Sequence, residues 1–274
     1  MGVASSQAIK AFMGVMRPRD VYQTVQAELA LALEIDSNLA DAHSVNAAWL
    51  FYFDWDWEQA EEEFQRAVSL NPNHYNSHLV YTWYLAAMDR PGEAHASIRR
   101  ILDLNPLDIN AYITASDVYY FSRQYDKAIA QIQEAVNLNL MSPFVDERLG
   151  WNYLQKSMFQ EAIDEFEKGV QAFPGVSQFR WLLGHAYAVA GRTAEARKIL
   201  DELHGLDENQ YVLPYGFAMI YTGLGENEIA IEWLEKAFDE RNLWMPFVNV
   251  EPRFDSLRRE PEFQDLLRRM NFPE

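Results

Sequence analysis

The chain has 274 residues, 49% hydrophobic and 14% aromatic, enough material for a buried core, and its 41 acidic against 23 basic residues give a formal charge of -18. That charge repels phosphate backbones and anionic headgroups, which argues against direct nucleic-acid or membrane binding and favours partners with basic surfaces. There is no cysteine, so thiolate metal ligands, cysteine nucleophiles and disulfides are excluded.

The first residues, MGVASSQAIKAFMGVM, carry Lys10 in their middle and no apolar run of signal-peptide length, and no later stretch approaches ~18 consecutive apolar residues. A cytoplasmic protein without a membrane span is expected. Gly2 and Ser6 fit the loose myristoylation pattern M-G-x-x-x-S, but the pattern is short and common, and an ordinary start is the simpler reading. Next, VQAELALALEIDSNLADAH reads as the second helix of a degenerate unit (about residues 1–38), with Ser37 in a slot that later holds proline and a poor first helix interrupted at Pro18.

From there the chain repeats itself. Ala60, Ala94, Ala128, Ala162, Ala196 and Ala230 follow one another at intervals of 34 residues, and a turn after each stand Phe64, Ile98, Ile132, Phe166, Leu200 and Leu234. Pro72, Pro106 and Pro174 keep the same register, with Leu140 replacing proline once. Each unit reads as two amphipathic helices joined by a short turn such as MDRPGE, VAGRTAE or GLGENE. The alanine lets the two helices approach, the large residue fills the groove beside it, and the proline ends the second helix. Six such units reach residue 242. One spacing is irregular: Ser37 to Pro72 is 35 residues, and the extra residue is expected around Asp54 to Asp56. That leaves Trp55, in a turn position filled elsewhere by Asp89, Arg123, Ser157, Gly191 and Gly225, either folded back over its hairpin or an exposed contact.

Residues 243–274 lack the alanine lattice but space Phe254, Leu257, Phe263, Leu266, Leu267 and Met270 helically. A stack of repeats needs its end covered, so this segment is expected to cap it, with a final helix over about 260–270.

In blocks such as QYDKAIAQIQEAVNLN and MFQEAIDEFEKGVQAFP the chain resembles tetratricopeptide repeat proteins. The resemblance covers roughly residues 21–242 and implies an all-α, right-handed superhelical solenoid of helical hairpins. More narrowly, FDWDWEQAEEEF, YAVAGRTAEARKILDEL and EPRFDSLRREPEFQDLLRRM are similar to the C-terminal repeat region of bacterial signalling proteins: winged-helix regulators, nucleotidyl cyclases and serine/threonine kinases. Their catalytic or DNA-binding chemistry lies upstream of that region and is not found in this sequence, so the resemblance implies a regulatory, partner-binding module.

Residue chemistry offers no catalytic or metal site. His74 and His78 stand four apart, but His74 falls in a loop and no H-E-x-x-H pattern accompanies them. The carboxylates Asp54, Asp56 and Glu58 begin like a calcium loop, yet glycine is needed where Gln59 stands and glutamate where Gln65 stands. There is no phosphate-cradling glycine motif, and no cofactor is expected.

In the family resembled, the first helix of each hairpin lines a concave groove. By that register the ninth positions are Trp83, Asp117, Trp151, His185 and Met219, and the fifth are Leu79, Ile113, Glu147, Trp181 and Tyr215; Asn76, Asn110 and Arg148 stand at second and sixth positions. Aromatics there serve as anchors for a peptide's apolar side chains, or else widen the core between repeats. The expectation is a non-enzymatic scaffold that binds a protein or peptide in the groove through Asn76, Trp83, Asn110, Asp117, Glu147, Arg148, Trp151, Trp181, His185 and Tyr215. The alternatives are a small-molecule sensor or enzyme with Asp117, Glu147 and His185 in an aromatic pocket, and self-association through an uncapped end.

Overall fold

The computed structural model describes residues 16–206 and 211–272, and among the described residues there is no β-strand. The Gly2/Ser6 pattern and the start of the degenerate unit lie outside the described residues. Helix α1 (Pro18–Ile35) precedes six hairpins: α2 (Ala40–Trp49) with α3 (Trp57–Leu70), α4 (Tyr75–Ala87) with α5 (Pro91–Leu104), α6 (Ile109–Phe121) with α7 (Tyr125–Asn137), α8 (Pro143–Gln155) with α9 (Phe159–Ala172), α10 (Ser177–Val189) with α11 (Thr193–Leu206), and α12 (Pro214–Gly223) with α13 (Asn227–Asp239). A last helix, α14 (Pro261–Arg269), follows. Pro18 opens α1 at its first turn, where a missing N–H costs least, and does not interrupt a helix.

The alanine lattice is the seam of this stack. All six alanines are fully buried, as are Phe64, Ile132, Phe166 and Leu234 beside them. Each first helix packs on its own partner and on the first helix of the next unit, as α10 does on α12, so the first helices form one continuous inner wall. Where large rings crowd that wall a glycine gives room: a Cβ at Gly216 would come within 2.5 Å of the Trp181 ring.

The turn inside each hairpin needs one residue in left-handed backbone. Asp89, Arg123 and Ser157 adopt it at φ 52°, 58° and 58°, and Gly191 and Gly225 at 75°. Trp55 takes the same role at φ 60°, a conformation that a bulky side chain keeps only when its surroundings hold it. The residue that makes the first spacing 35 is absorbed just before it, in a π-helical turn over Leu50–Asp54 that closes with the Trp55 N–H donating to the Leu50 carbonyl.

What holds Trp55 is the far end of the chain. It is 5% exposed, so the exposed-contact reading is set aside; its ring meets Phe238 at 4.9 Å, and the Arg241 guanidinium lies 4.0 Å from its centroid. Two residues on, Trp57 donates through Nε1 to the Met270 carbonyl at 2.8 Å and stacks on Phe272. Arg19 donates to the Asp239 carbonyl, and Val21, Val25, Trp49, Phe53 and Leu243 share a small core. The superhelix therefore closes, first hairpin against last.

The C-terminal segment does more than cover an end. Helix α14 rests on the outside of the last hairpin, through buried Phe263 and Leu266 and the Arg269–Glu235 ion pair. Residues 243–257 turn inward instead, in two short 3-10 turns, Met245–Phe247 and Pro252–Leu257, whose side chains lie against the inner wall. Phe247 stacks on Phe121 at 5.1 Å and meets Phe51 edge-on at 5.9 Å, tying the segment to the first and third hairpins. Phe247→Ala is expected to lower unfolding free energy by about 3–5 kcal/mol in urea titration, the range for an aromatic deleted from a core. A loss below about 1 kcal/mol would show that the segment is only loosely attached.

Candidate functional site

The inner wall is the candidate site, and its residues divide into two groups. Trp181, Tyr215 and Glu147 are 0% exposed, Trp151 1%, His185 2%, Asp117 3% and Arg148 4%. Asn76 and Asn110 are exposed and Trp83 is half-buried. The first group lies in the deeper half of the wall, along which the chain's own C-terminal segment is laid. Its aromatics are thus core side chains while that segment stays in place.

Trp151, from α8, sits at the centre. The Trp244 ring meets it at 5.7 Å, and two guanidiniums, Arg148 and Arg253, lie 4.2 and 4.5 Å from its centroid. Buried cation–π contacts of this kind contribute about 2 kcal/mol each. Tyr215 receives Trp244 and Phe254, the latter edge-on at 5.3 Å.

A charged network runs through these rings. Arg253 forks onto Glu251, Nε to Oε1 at 2.8 Å and Nη2 to Oε2 at 2.7 Å, and the Tyr120 hydroxyl donates to the same carboxylate at 2.7 Å. Arg148 donates to Asp117 at 2.7 Å and pairs with Glu147 at 2.9 Å; Gln178 donates to Glu147 at 2.9 Å, and the Trp83 indole N–H to Asp117 at 3.1 Å. Burial pushes the Asp117 and Glu147 carboxyls up despite Arg148. Burial acts on Glu251 in the same sense, but the charge and hydrogen bonds of Arg253 outweigh it and hold that carboxyl below its usual range. Removing one member of such a pair leaves an uncompensated buried charge, a loss of about 3–5 kcal/mol.

His185 belongs to the same interior. Its Nδ1–H donates to the Met219 carbonyl at 2.7 Å, and burial, then the charge of Arg253, hold its pKa down at about 4 against the opposing effects of that hydrogen bond and of Glu251. The imidazole is neutral in the fold, whereas an unfolded histidine takes a proton below about pH 6.5. Stability contributed by the neutral ring is complete above that pH and is lost as pH falls from about 6.5 toward 4. The melting temperature is expected to drop more steeply between pH 7 and 5 in the parent protein than in His185→Gln; equal slopes would contradict this assignment.

The histidines and carboxylates weighed as metal ligands have structural partners. His74 and His78 part company: His74 Nε2 lies 2.6 Å from Asp41 and its Nδ1 2.6 Å from the Ser77 hydroxyl, while His78 Nε2 lies 2.9 Å from the Pro72 carbonyl. Ser77, His74 and Asp41 make a Ser–His–Asp chain that sequence spacing did not disclose. Its serine is fully buried in the first turn of α4, where the contact ties the start of the helix through His74 to Asp41 of the preceding hairpin. Asp54 accepts from the Tyr22 hydroxyl at 2.8 Å and Asp56 caps α3 through the Gln59 N–H, so neither is committed to a cation. Among the described residues no group of histidines and carboxylates is arranged to hold a metal, and no helix is long and apolar enough to cross a membrane.

Residues 153–212 match one tetratricopeptide repeat profile, and residues 109–140 and 215–241 match another. The chain carries tetratricopeptide repeats. It is 24% identical over 152 residues to human protein O-mannosyl-transferase TMTC1, covering 54% of this chain and 17% of that one. It is 20% identical over 189 residues to anaphase-promoting complex subunit 3 of Schizosaccharomyces pombe, covering 68% of this chain and 28% of that one. The chain thus spans less than a third of either relative. Among solved structures, the Cut9–Hcn1 tetramer of the anaphase-promoting complex superposes with a TM-score of 0.62 at 17% identity, over 95% of this chain and 54% of that one. The type IV pilus biogenesis factor PilW gives 0.57 at 20%, over 76% and 95%, and PilF of Pseudomonas aeruginosa 0.52 at 17%, over 84% and 97%. At these identities the likeness establishes the all-helical repeat fold.

Proposed function

We propose that the protein is a non-enzymatic scaffold that binds a protein or peptide, and that the contact is made by the part of the inner wall that its own C-terminal segment leaves open. One observation carries this: Asn76, Trp83 and Asn110 keep solvent access on a wall whose remaining recognition positions are buried. Asn76 and Trp83 are two turns apart on α4, about 10 Å along the helix axis, and Asn110 is the counterpart of Asn76 one unit on, again about 10 Å away. An extended segment covers such a distance in about three residues, its backbone pairing with the two amides and an apolar side chain resting on the indole. The buried residues support this surface without touching the partner. Arg148 fixes Asp117, and Asp117 fixes the Trp83 ring.

The excess of acids favours a partner with a basic surface, whose association slows as salt rises. A regulatory role in the cytoplasm agrees with the sequence likeness to the repeat regions of bacterial signalling proteins. A second reading, a small polar ligand held inside the superhelix, is favoured by buried polar atoms without a protein partner, Glu147 Oε2, Trp181 Nε1 and the Tyr215 hydroxyl. It predicts a melting temperature that rises with a metabolite.

Trp83→Ala combined with Asn76→Ala is expected to weaken partner capture about 30-fold, the effect of losing one aromatic anchor worth about 2 kcal/mol, with helical content unchanged by circular dichroism. Trp151→Ala is expected instead to destabilise the fold. Undiminished capture by the Trp83/Asn76 double variant would contradict the reading.

A further inference from the structure

Exposed apolar side chains are usually scattered singly, but on this protein several gather where one hairpin passes to the next. Leu107 is 67% exposed, Met141 78%, Leu138 42% and Val136 41%. Leu107 and Met141 hold the same position in successive units, 34 residues apart, so the spacing of neighbouring hairpins sets them about 10 Å from each other. The turn bearing Leu138 and Met141 is also where the repeat departs from its own rule, with Leu140 in the proline slot. There α7 closes with Asn139 in left-handed backbone and the Leu140 N–H donating to the Ala135 carbonyl at 3.0 Å.

The charge around this edge is predominantly negative. Residues 101–122 and 128–147 contain neither lysine nor arginine, while Asp103 and Glu134 are exposed and Asp108 is half-buried beside the leucines. Of the cations flanking this edge on α5, Arg100 is engaged with the Pro72 carbonyl at 2.8 Å and Asn73 Oδ1 at 2.7 Å, and exposed Arg99 stands one helical turn before Asp103, which leaves Asp108 and Glu134 as the carboxylates with no basic residue on their own turn.

We propose that this edge docks a basic amphipathic helix of a partner protein, its apolar stripe seated on Leu107, Leu138 and Met141 and its lysines or arginines facing Asp103, Asp108 and Glu134. Apolar residues seven apart on a helix are separated by about 10 Å, the distance between Leu107 and Met141. The acids that attract a basic helix repel an anionic membrane and a second copy of this acidic chain. Trp83 takes no part, although the two surfaces adjoin where the Asp108 carboxylate accepts from the Asn110 side-chain amide at 3.0 Å.

The test uses the full chain and, as probe, a fluorescein-labelled, amidated peptide of two Leu-Lys-Lys-Leu-Leu-Lys-Leu heptads followed by fluorescence anisotropy. Saturable binding that weakens with salt is expected, with L107S/M141S binding about tenfold more weakly and unchanged in circular dichroism. Ile35→Ser, at another exposed apolar residue (78%), is expected to bind as the parent does. Absence of saturable binding, equal binding by L107S/M141S, or an equal loss in Ile35→Ser would overturn the proposal. So would a parent dimer in sedimentation that L107S/M141S abolishes, since the edge would then belong to a second copy.

Discussion

The contact on which the rest of the structure depends is the burial of Trp151 under Trp244 and Arg253. It is where the C-terminal segment meets the middle of the repeat array, between units that otherwise touch only their neighbours. A stack of hairpins is open at both ends and along its inner wall, and its stability grows one interface at a time. By laying residues 243–257 along that wall and joining Trp55 to Phe238 and Trp57 to Met270, the chain adds contacts between units far apart in sequence. The repeats become one cooperative body with a core of its own.

Electrostatics make the arrangement specific. Apolar rings alone would tolerate a shift of the segment along the wall, since aromatic pairs accept several geometries. The forked Arg253–Glu251 pair and the Tyr120 hydroxyl do not, because a slip would leave buried charges without partners. The network extends through Trp151 to Arg148 and Asp117 and ends at the Trp83 indole. Folding of the tail and positioning of the open wall are thereby linked through named contacts.

Much of this was legible in the sequence. The alanine lattice set the hairpins and their seam, and the aligned turn position held a left-handed residue in unit after unit, Trp55 included. The odd 35-residue spacing marked a real local change, although the structure absorbs the extra residue as a π turn ahead of Asp56. The filling of the inner wall was not legible, because residues 243–257 form short 3-10 turns that do not recur, and the helical spacing of Phe254 and Leu257 pointed only to a cap. A signal did exist. Trp151, Trp181 and Tyr215 stand where the repeat itself requires no large ring, and such residues fit either a foreign ligand or the chain's own segment. Sequence position could not choose between them, nor could it show that Trp55 is buried by a helix some 180 residues away.

Residues 243–257 are a fixed part of the core, and hydrogen–deuterium exchange of the full chain tests that directly. The amides of Val248, Val250, Glu251 and Phe254 all donate to backbone carbonyls within the segment. If the segment opens only with the whole fold, those amides exchange as slowly as the interiors of α8 and α10. Rapid exchange there, with α8 and α10 still protected, would contradict it and return the inner wall to an open groove.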